Sequence, residues 1–316
     1  MRTALIAVCV LALASDQAFA FGTINGMGQH EEHQRITRAA FTDFGPLTLD
    51  ELAGKRGRFG AIGAPDNPLR GLVFTDEAHC DNGDYLNSPP APATPDYPQS
   101  AAVAQHALER CRAWMVQWLE RAVTAAAPLA HADGDNTALD CGFVGDSGSA
   151  KCAVLADLGV ALHAAQDFYA HTNWVDQPAD GPLSALNPPG LGQSGRAPWL
   201  DPRQSNAFPA GLISGCFHGL PETWFCKYGE GDNKIARARH AALNKDEGTI
   251  DADGIGSNGT TERGAVHDNF ARAVAAAIDD SRDKWAYFRE RVTATYGDAA
   301  ARRIICVVRS DDFRRC

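Results

Sequence analysis

Apolar positions recur along most of this chain at helical rather than strand spacing. Between Glu31 and Phe44, a stretch without Gly or Pro, Ile36, Ala39, Ala40 and Phe44 fall at roughly helical intervals and predict a first helix. Ser100 to Ala127 is alanine-rich and carries Leu108, Met115, Trp118 and Leu119, which predicts a long second helix. A strong helix is predicted from Lys151 to Trp174, with Leu155, Leu158, Leu162 and Ala165 on one face. Helical spacing returns at Asn233 to Asn244 and from Thr261 to Val292. Gly54 to Pro68 is rich in Gly and Pro, Ser88 to Pro98 is a Pro-rich loop, and Gly134 to Ser149 is a polar loop. Gln177 to Cys226, rich in Pro, Gly and Ser, reads as loop held by disulfides. Strand-like alternation is nearly absent, and there is no internal repeat or clean linker. The pattern predicts an all-α multi-helix bundle with long disulfide-held loops, formed by a single domain over 21–316.

The first twenty residues follow a different pattern. Arg2 supplies a positive start, Ala4 to Ala14 an apolar run, and Ala18-Phe19-Ala20 a small-x-small cleavage site, so residues 1–20 are expected to be a signal peptide. The apolar run is too short to span a bilayer, and no later stretch reaches about 18 uninterrupted apolar residues. A secreted or periplasmic protein beginning at Phe21 is expected, with no transmembrane segment. Cysteine usage agrees. Cys9 leaves with the signal, and the remaining eight read as up to four disulfides in an oxidising compartment. The close pairs Cys141/Cys152, Cys216/Cys226 and Cys306/Cys316 would leave Cys80 with Cys111. A zinc–thiolate arrangement is the weaker reading, because no CxxC pair occurs. Composition narrows the function. A net charge of -10 disfavours a protein that cradles nucleic acid with Lys and Arg, so no stable nucleic-acid complex is expected. A metal-assisted nuclease stays open, since metal ions can supply the positive charge.

Candidate chemistry concentrates in the helix predicted over 151–174. His163, Asp167 and His171 stand at i, i+4 and i+8, and each step of four turns a helical side chain by only ~40°, so the three form one stripe. His163 and Asp167 can chelate one ion. His171 lies about 12 Å beyond His163 along the axis, too far to join it on a straight helix. The spacing therefore suggests more than one metal, with Asp167 between. A surface stripe with a His/Asp ion pair fits the spacing equally well. The small neighbours Ala164, Ala165 and Ala170, which let other segments approach, favour the metal. Imidazole and carboxylate donors suit zinc, and also manganese or iron. Further donors fall where loops can bring them in: His33, Asp66, His79, His240 and His267. Taken singly, each is more often a capped or surface residue than a ligand.

The order His33, Asp66, His79 and then His163-xxx-Asp167-xxx-His171 resembles the zinc-dependent phospholipase C and P1-type nuclease superfamily. The closer likeness is to its Het-C branch, the fungal heterokaryon incompatibility protein and bacterial relatives. The segment from His163 to Trp174 and Leu243-Asn244-Lys245-Asp246 look like signatures of that branch. The resemblance implies an all-α fold around two or three zinc ions. Asp66, His79, His163 and Asp167 would hold the first. The freed Phe21 amine and carbonyl, with His33, would hold another. His171 with His240 or His267 would bind the remaining ion, with Asp246 as a further donor. Phe21 stands where the superfamily commonly has tryptophan. Asn244, four after His240, and Ala271, four after His267, stand where it has a carboxylate. His171 also lies closer to Asp167 than the superfamily's second helix histidine does.

The function implied is an exported metal-dependent phosphodiesterase, a phospholipase C hydrolysing phosphatidylcholine-type lipids during transient contact with a membrane surface. Two close zinc ions would lower the pKa of a shared water to give a hydroxide that attacks phosphorus, with Asp66 orienting or deprotonating the water. A P1-type nuclease or nucleotidase at the same site is one alternative. A non-enzymatic, metal-stabilised Het-C-like protein of intercellular recognition or antagonism is the other. The missing Gly-x-Ser-x-Gly elbow disfavours a serine lipase. Trp199, Trp224 and Phe225 are read either as a lipid-facing rim or as small core anchors. Asp251 to Glu262 matches a calcium loop at several positions, but Ile255 falls where a ligand is needed and Gly248 breaks the entering helix. A Gly/Asp turn is favoured there, with a calcium-stabilised loop as the alternative.

Overall fold

The computed structural model describes residues 21–26, 28–55, 58–86, 97–143, 148–228 and 235–316. The expected signal peptide and most of the Ser88–Pro98 loop lie outside these residues. The chain is mostly helical, as the apolar spacing predicts. In order run α1 (Glu32–Ala40), α2 (Pro46–Ala53), α3 (Asp76–His79), α4 (Ala101–Ala125), α5 (Ala150–His171), α6 (Glu222–Phe225) and α7 (Asn269–Arg309). Strand structure among the described residues consists of four antiparallel pairs of two-residue strands. They are β1 (Asn25–Gly26) with β2 (Gln29–His30), β3 (Gly54–Lys55) with β4 (Arg58–Phe59), β5 (Lys227–Tyr228) with β6 (Ile235–Ala236), and β7 (Thr249–Ile250) with β8 (Gly256–Ser257).

The two central helices start where a serine can cap them. Ser100 Oγ accepts from the Val103 amide at the head of α4, and Ser149 Oγ from the Cys152 amide at the head of α5. Each satisfies an amide that the first turn leaves without a partner. Helix α2 opens on Pro46, whose missing N–H is not needed there. Its C-cap is Gly54, at φ 89°.

Helix α5 packs between α4 and α7. All its residues except Ala150 and Ala153 are buried, so it is enclosed all round rather than on the single leucine face that the sequence predicts. Its polar stripe can be enclosed because other polar chain segments close over it. Gly159 permits one such approach: a Cβ there would stand 2.3 Å from the Ala61 carbonyl carbon. The next residue, Ile62, offers its carbonyl to His163. The main hydrophobic core runs without interruption from Phe21 through α5 to Val308.

Two predicted helical segments differ. Asn233 to Asn244 is not a helix over its described part. It forms strand β6 and a single 3-10 turn at His240–Ala242, because the backbone pairs with β5 and with Cys216 instead. The segment predicted from Thr261 becomes helical only at Asn269, and continues past Val292 to Arg309 through a break at Gly297. Helix α2, which lies between the first predicted helix and the Gly/Pro-rich stretch, has too few residues for its periodicity to stand out.

The four expected cysteine pairs, Cys80–Cys111, Cys141–Cys152, Cys216–Cys226 and Cys306–Cys316, lie at disulfide distance, with Cα separations of 5.1, 5.2, 5.9 and 5.6 Å. No helix among the described residues is long and apolar enough to cross a membrane. The stretch from Asp251 forms the β7–β8 turn, where Asp251 Oδ1 accepts from the Asp253 and Ile255 amides. That is the favoured Gly/Asp turn. The carboxylate serves the backbone, and Ile255 points to solvent.

Candidate metal centre

The stripe on α5 is not a surface stripe: His163, Asp167 and His171 are at most 1% exposed. Asp167 is the hub. Its Oδ1 lies 3.1 Å from His33 Nε2, delivered by α1, and its Oδ2 lies 3.0 Å from both His163 Nε2 and His79 Nδ1, the latter at the end of α3. Asp66 reaches in from the loop before α3, 3.6 Å from His163 Nε2 and 3.9 Å from His79 Nδ1. Thus four of the expected ligands, from four separate segments, converge around a fifth, the Asp167 carboxylate. Phe21 sits beside them, its ring edge-on to His33 at 5.7 Å between centroids, while the next amide, Gly22, donates to the Asp246 carbonyl.

One turn further along α5 a second group forms. His171 Nε2 lies 3.2 Å from Asp246 Oδ1, and His240 Nε2 lies 3.8 Å from Asp246 Oδ2. Asp81 Oδ1 is 3.7 Å from His171 Nδ1, and Glu222 Oε1 is 3.5 Å from His240 Nδ1. Between the two expected partners of His171, the fold brings in His240 and leaves His267 exposed ahead of α7. A short 3-10 turn presents His240, and a side chain on Gly215 would strike its backbone at 2.2 Å, so this approach also depends on a glycine. Asp81 and Glu222 were missed by sequence reasoning. Asp81 had a signal, two residues after His79, whereas Glu222, within a Cys-bounded loop, had none.

The hydrogen bonds fix how the imidazoles present their nitrogens. A carbonyl can only accept, so His163 Nδ1 must donate to Ile62 O (2.8 Å) and His171 Nδ1 to His79 O (2.7 Å). Gln166 donates through Nε2 to Thr37 and Ser281, which turns its Oε1 to receive His33 Nδ1 at 2.8 Å. In their neutral forms all three rings therefore direct an Nε2 lone pair into the site, the tautomer that metal-ligating histidines adopt.

Several of the inward atoms have no hydrogen-bond partner: His33 Nε2, Asp167 Oδ1, Asp81 Oδ1 and Asp246 Oδ2 are buried and unpaired. Buried unsatisfied polar atoms cost about 1–3 kcal/mol each. His33 Nε2 and Asp167 Oδ1 are close but not aligned as donor and acceptor, as expected of two ligands aimed at a third atom. Three sets of donor atoms lie within 4.8 Å of one another: His33, Asp66 and His163; His79, His163 and Asp167; and Asp81, His171 and His240. Imidazole and carboxylate in these numbers fit zinc and related divalent ions.

Charge is distributed unevenly. Burial works against ionisation of Asp167, but His163, His171 and His33 outweigh it and hold its pKa well below the usual carboxylate range. In the second group burial dominates, pushing Asp81 and Asp246 well up and His171 well down. Burial opposes a charge on His79, yet Asp167 with Asp66 and Asp81 pushes its pKa up to about 9, and burial pushes Glu32 up to about 8.

A pH dependence follows. Without metal, His79 and Glu32 bind protons more tightly in the fold than in the unfolded chain. Their contribution is present in full below the unfolded values and is lost as pH rises through the folded ones. Chelated protein should therefore lose thermal stability between pH 6.5 and about 9. Metal binding requires the deprotonated ligands, so the stabilisation gained on adding zinc should grow over the same interval. Thermal unfolding with chelator and with zinc checks this, and parallel curves would contradict it.

Asp246 owes its place to a buried ion cluster. Asp176 binds Lys245 Nζ at 2.9 Å and Arg263 Nε at 2.8 Å, all three nearly or fully buried. The Lys245 amide donates to the Ala170 carbonyl beside His171. The Leu243-Asn244-Lys245-Asp246 segment is thereby clamped across the end of α5. Comparison of the chain with family models, curated proteins and solved structures finds no match.

Proposed function

We propose that the protein is a zinc-dependent phosphodiesterase that acts outside the cytoplasm, and that its substrate is a phospholipid of the phosphatidylcholine type, cleaved as by a phospholipase C. The observation that carries this reading is the shared carboxylate: Asp167 lies within 3.1 Å of His33, His79 and His163. A carboxylate with nitrogen donors on both oxygens suits adjacent metal ions better than a single structural ion.

In this reading Asp66, His79, His163 and Asp167 would hold one ion, and His33 with the backbone of residue 21 would hold another. His171, His240, Asp246 and Asp81 would hold the third. When bound, such ions supply Lewis acidity towards phosphoryl oxygens and lower the pKa of water. The chain's own groups do the remaining work. Asp66 is the carboxylate of the first group that reaches solvent, its side chain 11% exposed, so it orients the attacking water and accepts its proton. The enclosed histidines keep their lone pairs directed inward through the bonds to Ile62, Gln166 and His79, so no reorientation precedes reaction. Glu222 lies behind His240, its Oε1 3.5 Å from Nδ1. Phe217 lies 5.7 Å from the His240 ring and stacks on Phe74 with ring centroids 6.4 Å apart, an apolar pair on which a lipid's glycerol and acyl portion would lie.

Metal content by mass spectrometry on the exported protein, with phosphatidylcholine hydrolysis before and after chelation, tests the proposal. Two or three zinc ions per chain, with activity lost to chelator and restored by zinc, is the expected result. Zinc without lipid turnover, together with cleavage of single-stranded oligonucleotides, would replace it with the nuclease reading. Zinc with neither activity would leave a structural site, and protein without metal would remove the centre altogether.

A further inference from the structure

The Cys216–Cys226 loop turns different chemistry to its two sides. Inward, Glu222 meets His240 and the Ala241 amide, and Phe217 lies 5.7 Å from the His240 ring. Outward stand Leu220, Trp224 and Phe225, which are 45%, 76% and 51% exposed. Phe74, 74% exposed, stacks on Phe217 at the stem of the loop. Single exposed apolar residues are ordinary, but three within six positions of one loop, whose stem carries an aromatic pair beside a candidate active site, call for an occupant.

Charge identifies its chemistry. The chain carries a net -10, yet the one carboxylate among loop residues 217–226, Glu222, is 1% exposed. The charged or chargeable groups that it shows to water are His218 and, just past the disulfide, Lys227. An apolar tip of Trp, Phe and Leu edged by Lys matches the boundary between lipid headgroups and acyl chains, where tryptophan concentrates and lysine reaches up to phosphate. The loop is also prepared in advance. Its disulfide closes it, the Trp224 and Cys226 amides donate to Pro221 and Glu222, and Asn82 brackets the Phe217 backbone by giving one hydrogen bond and taking another. Ordering costs on binding are correspondingly small.

We propose that the outer face of the Cys216–Cys226 loop, extended by Phe74, docks the protein onto the surface of a phospholipid bilayer and brings the metal centre to the headgroups. The choice of a phospholipid rests on the function proposed above, and the test lets the two fail separately. Zinc-loaded protein is sedimented with vesicles of a phosphonate analogue of phosphatidylcholine, in which carbon replaces the glycerol oxygen and hydrolysis is blocked. Turnover is followed separately on monomeric short-chain phosphatidylcholine. The double variant Trp224→Ala/Phe225→Ser should bind vesicles on the order of tenfold more weakly. Its melting temperature and its turnover of the monomeric substrate should not change. Ile255→Ser, at an exposed apolar position on the β7–β8 turn, is the control and should bind as the parent does. Absence of vesicle binding by the parent, or equal binding by parent and double variant, overturns the docking surface. Loop-dependent binding without turnover of the monomeric lipid keeps the surface and removes the phospholipase.

Discussion

Asp167→Asn should empty the metal centre and abolish most hydrolysis, lowering turnover by roughly 10²–10³-fold or more. Asparagine fills the same volume but cannot balance His33, His79 and His163, all within 3.1 Å of the carboxylate. Its amide group also turns a donor towards nitrogens whose lone pairs point inward. Removing one member of a buried charged set costs about 3–5 kcal/mol, so the fold should suffer along with the site. Metal analysis and thermal unfolding of the variant make the check. Retention of the full zinc complement and an unchanged melting point would show that Asp167 is not the shared ligand.

Asp176→Asn should produce a comparable loss of stability with a different metal phenotype. Asp176 touches none of the metal-ligand candidates. It stands between Lys245 and Arg263, two buried cations that asparagine would leave without a counter-charge. The same arithmetic gives about 3–5 kcal/mol, or a melting temperature lower by roughly 10 °C. Because Lys245 holds Asp246 against the end of α5, the ion assigned to His171 and His240 should be lost first, while those around Asp167 persist. Zinc stoichiometry on the folded fraction distinguishes the outcomes. Loss of all ions together would mean that the two groups are not separable.

The parts of the fold most legible in sequence were the long ones. Helices α4 and α5 have enough turns for their apolar spacing to be unmistakable, and both fall within a few residues of expectation. The centre was legible where its ligands share an element: the stripe on α5 can be read directly, because a helix places i, i+4 and i+8 together. Disulfides were accessible because three of the cysteine pairs are close in sequence, which leaves Cys80 for Cys111.

What remained hidden depends on approach between distant segments. Nothing local in Asn233–Asn244 reveals that its backbone will pair with Cys216 and β5 rather than coil. The approach of His240 depends on Gly215, whose missing side chain lets it close in, and His267 stays exposed ahead of α7. Glu222 becomes part of the site because a disulfide folds its loop back, which no spacing rule encodes. Even for α5, correctly placed, the spacing shows only a leucine face and leaves the surroundings of the polar stripe open, since burial all round is a property of its neighbours.

That burial has a consequence for how long the protein would survive outside the cell, where the proposed function places it. The element that carries three of the ligand candidates is also the middle of the hydrophobic core, so losing the proposed metals and opening the core would not be separate events. With metal bound only by the folded form, a free concentration a hundredfold above the dissociation constant adds about 2.7 kcal/mol to the folding equilibrium, and each further tenfold adds about 1.4. Resistance to extracellular proteases would then track the supply of zinc in the surroundings. Where metal is scarce, the protein would lose its reactivity and its lifetime in the same step.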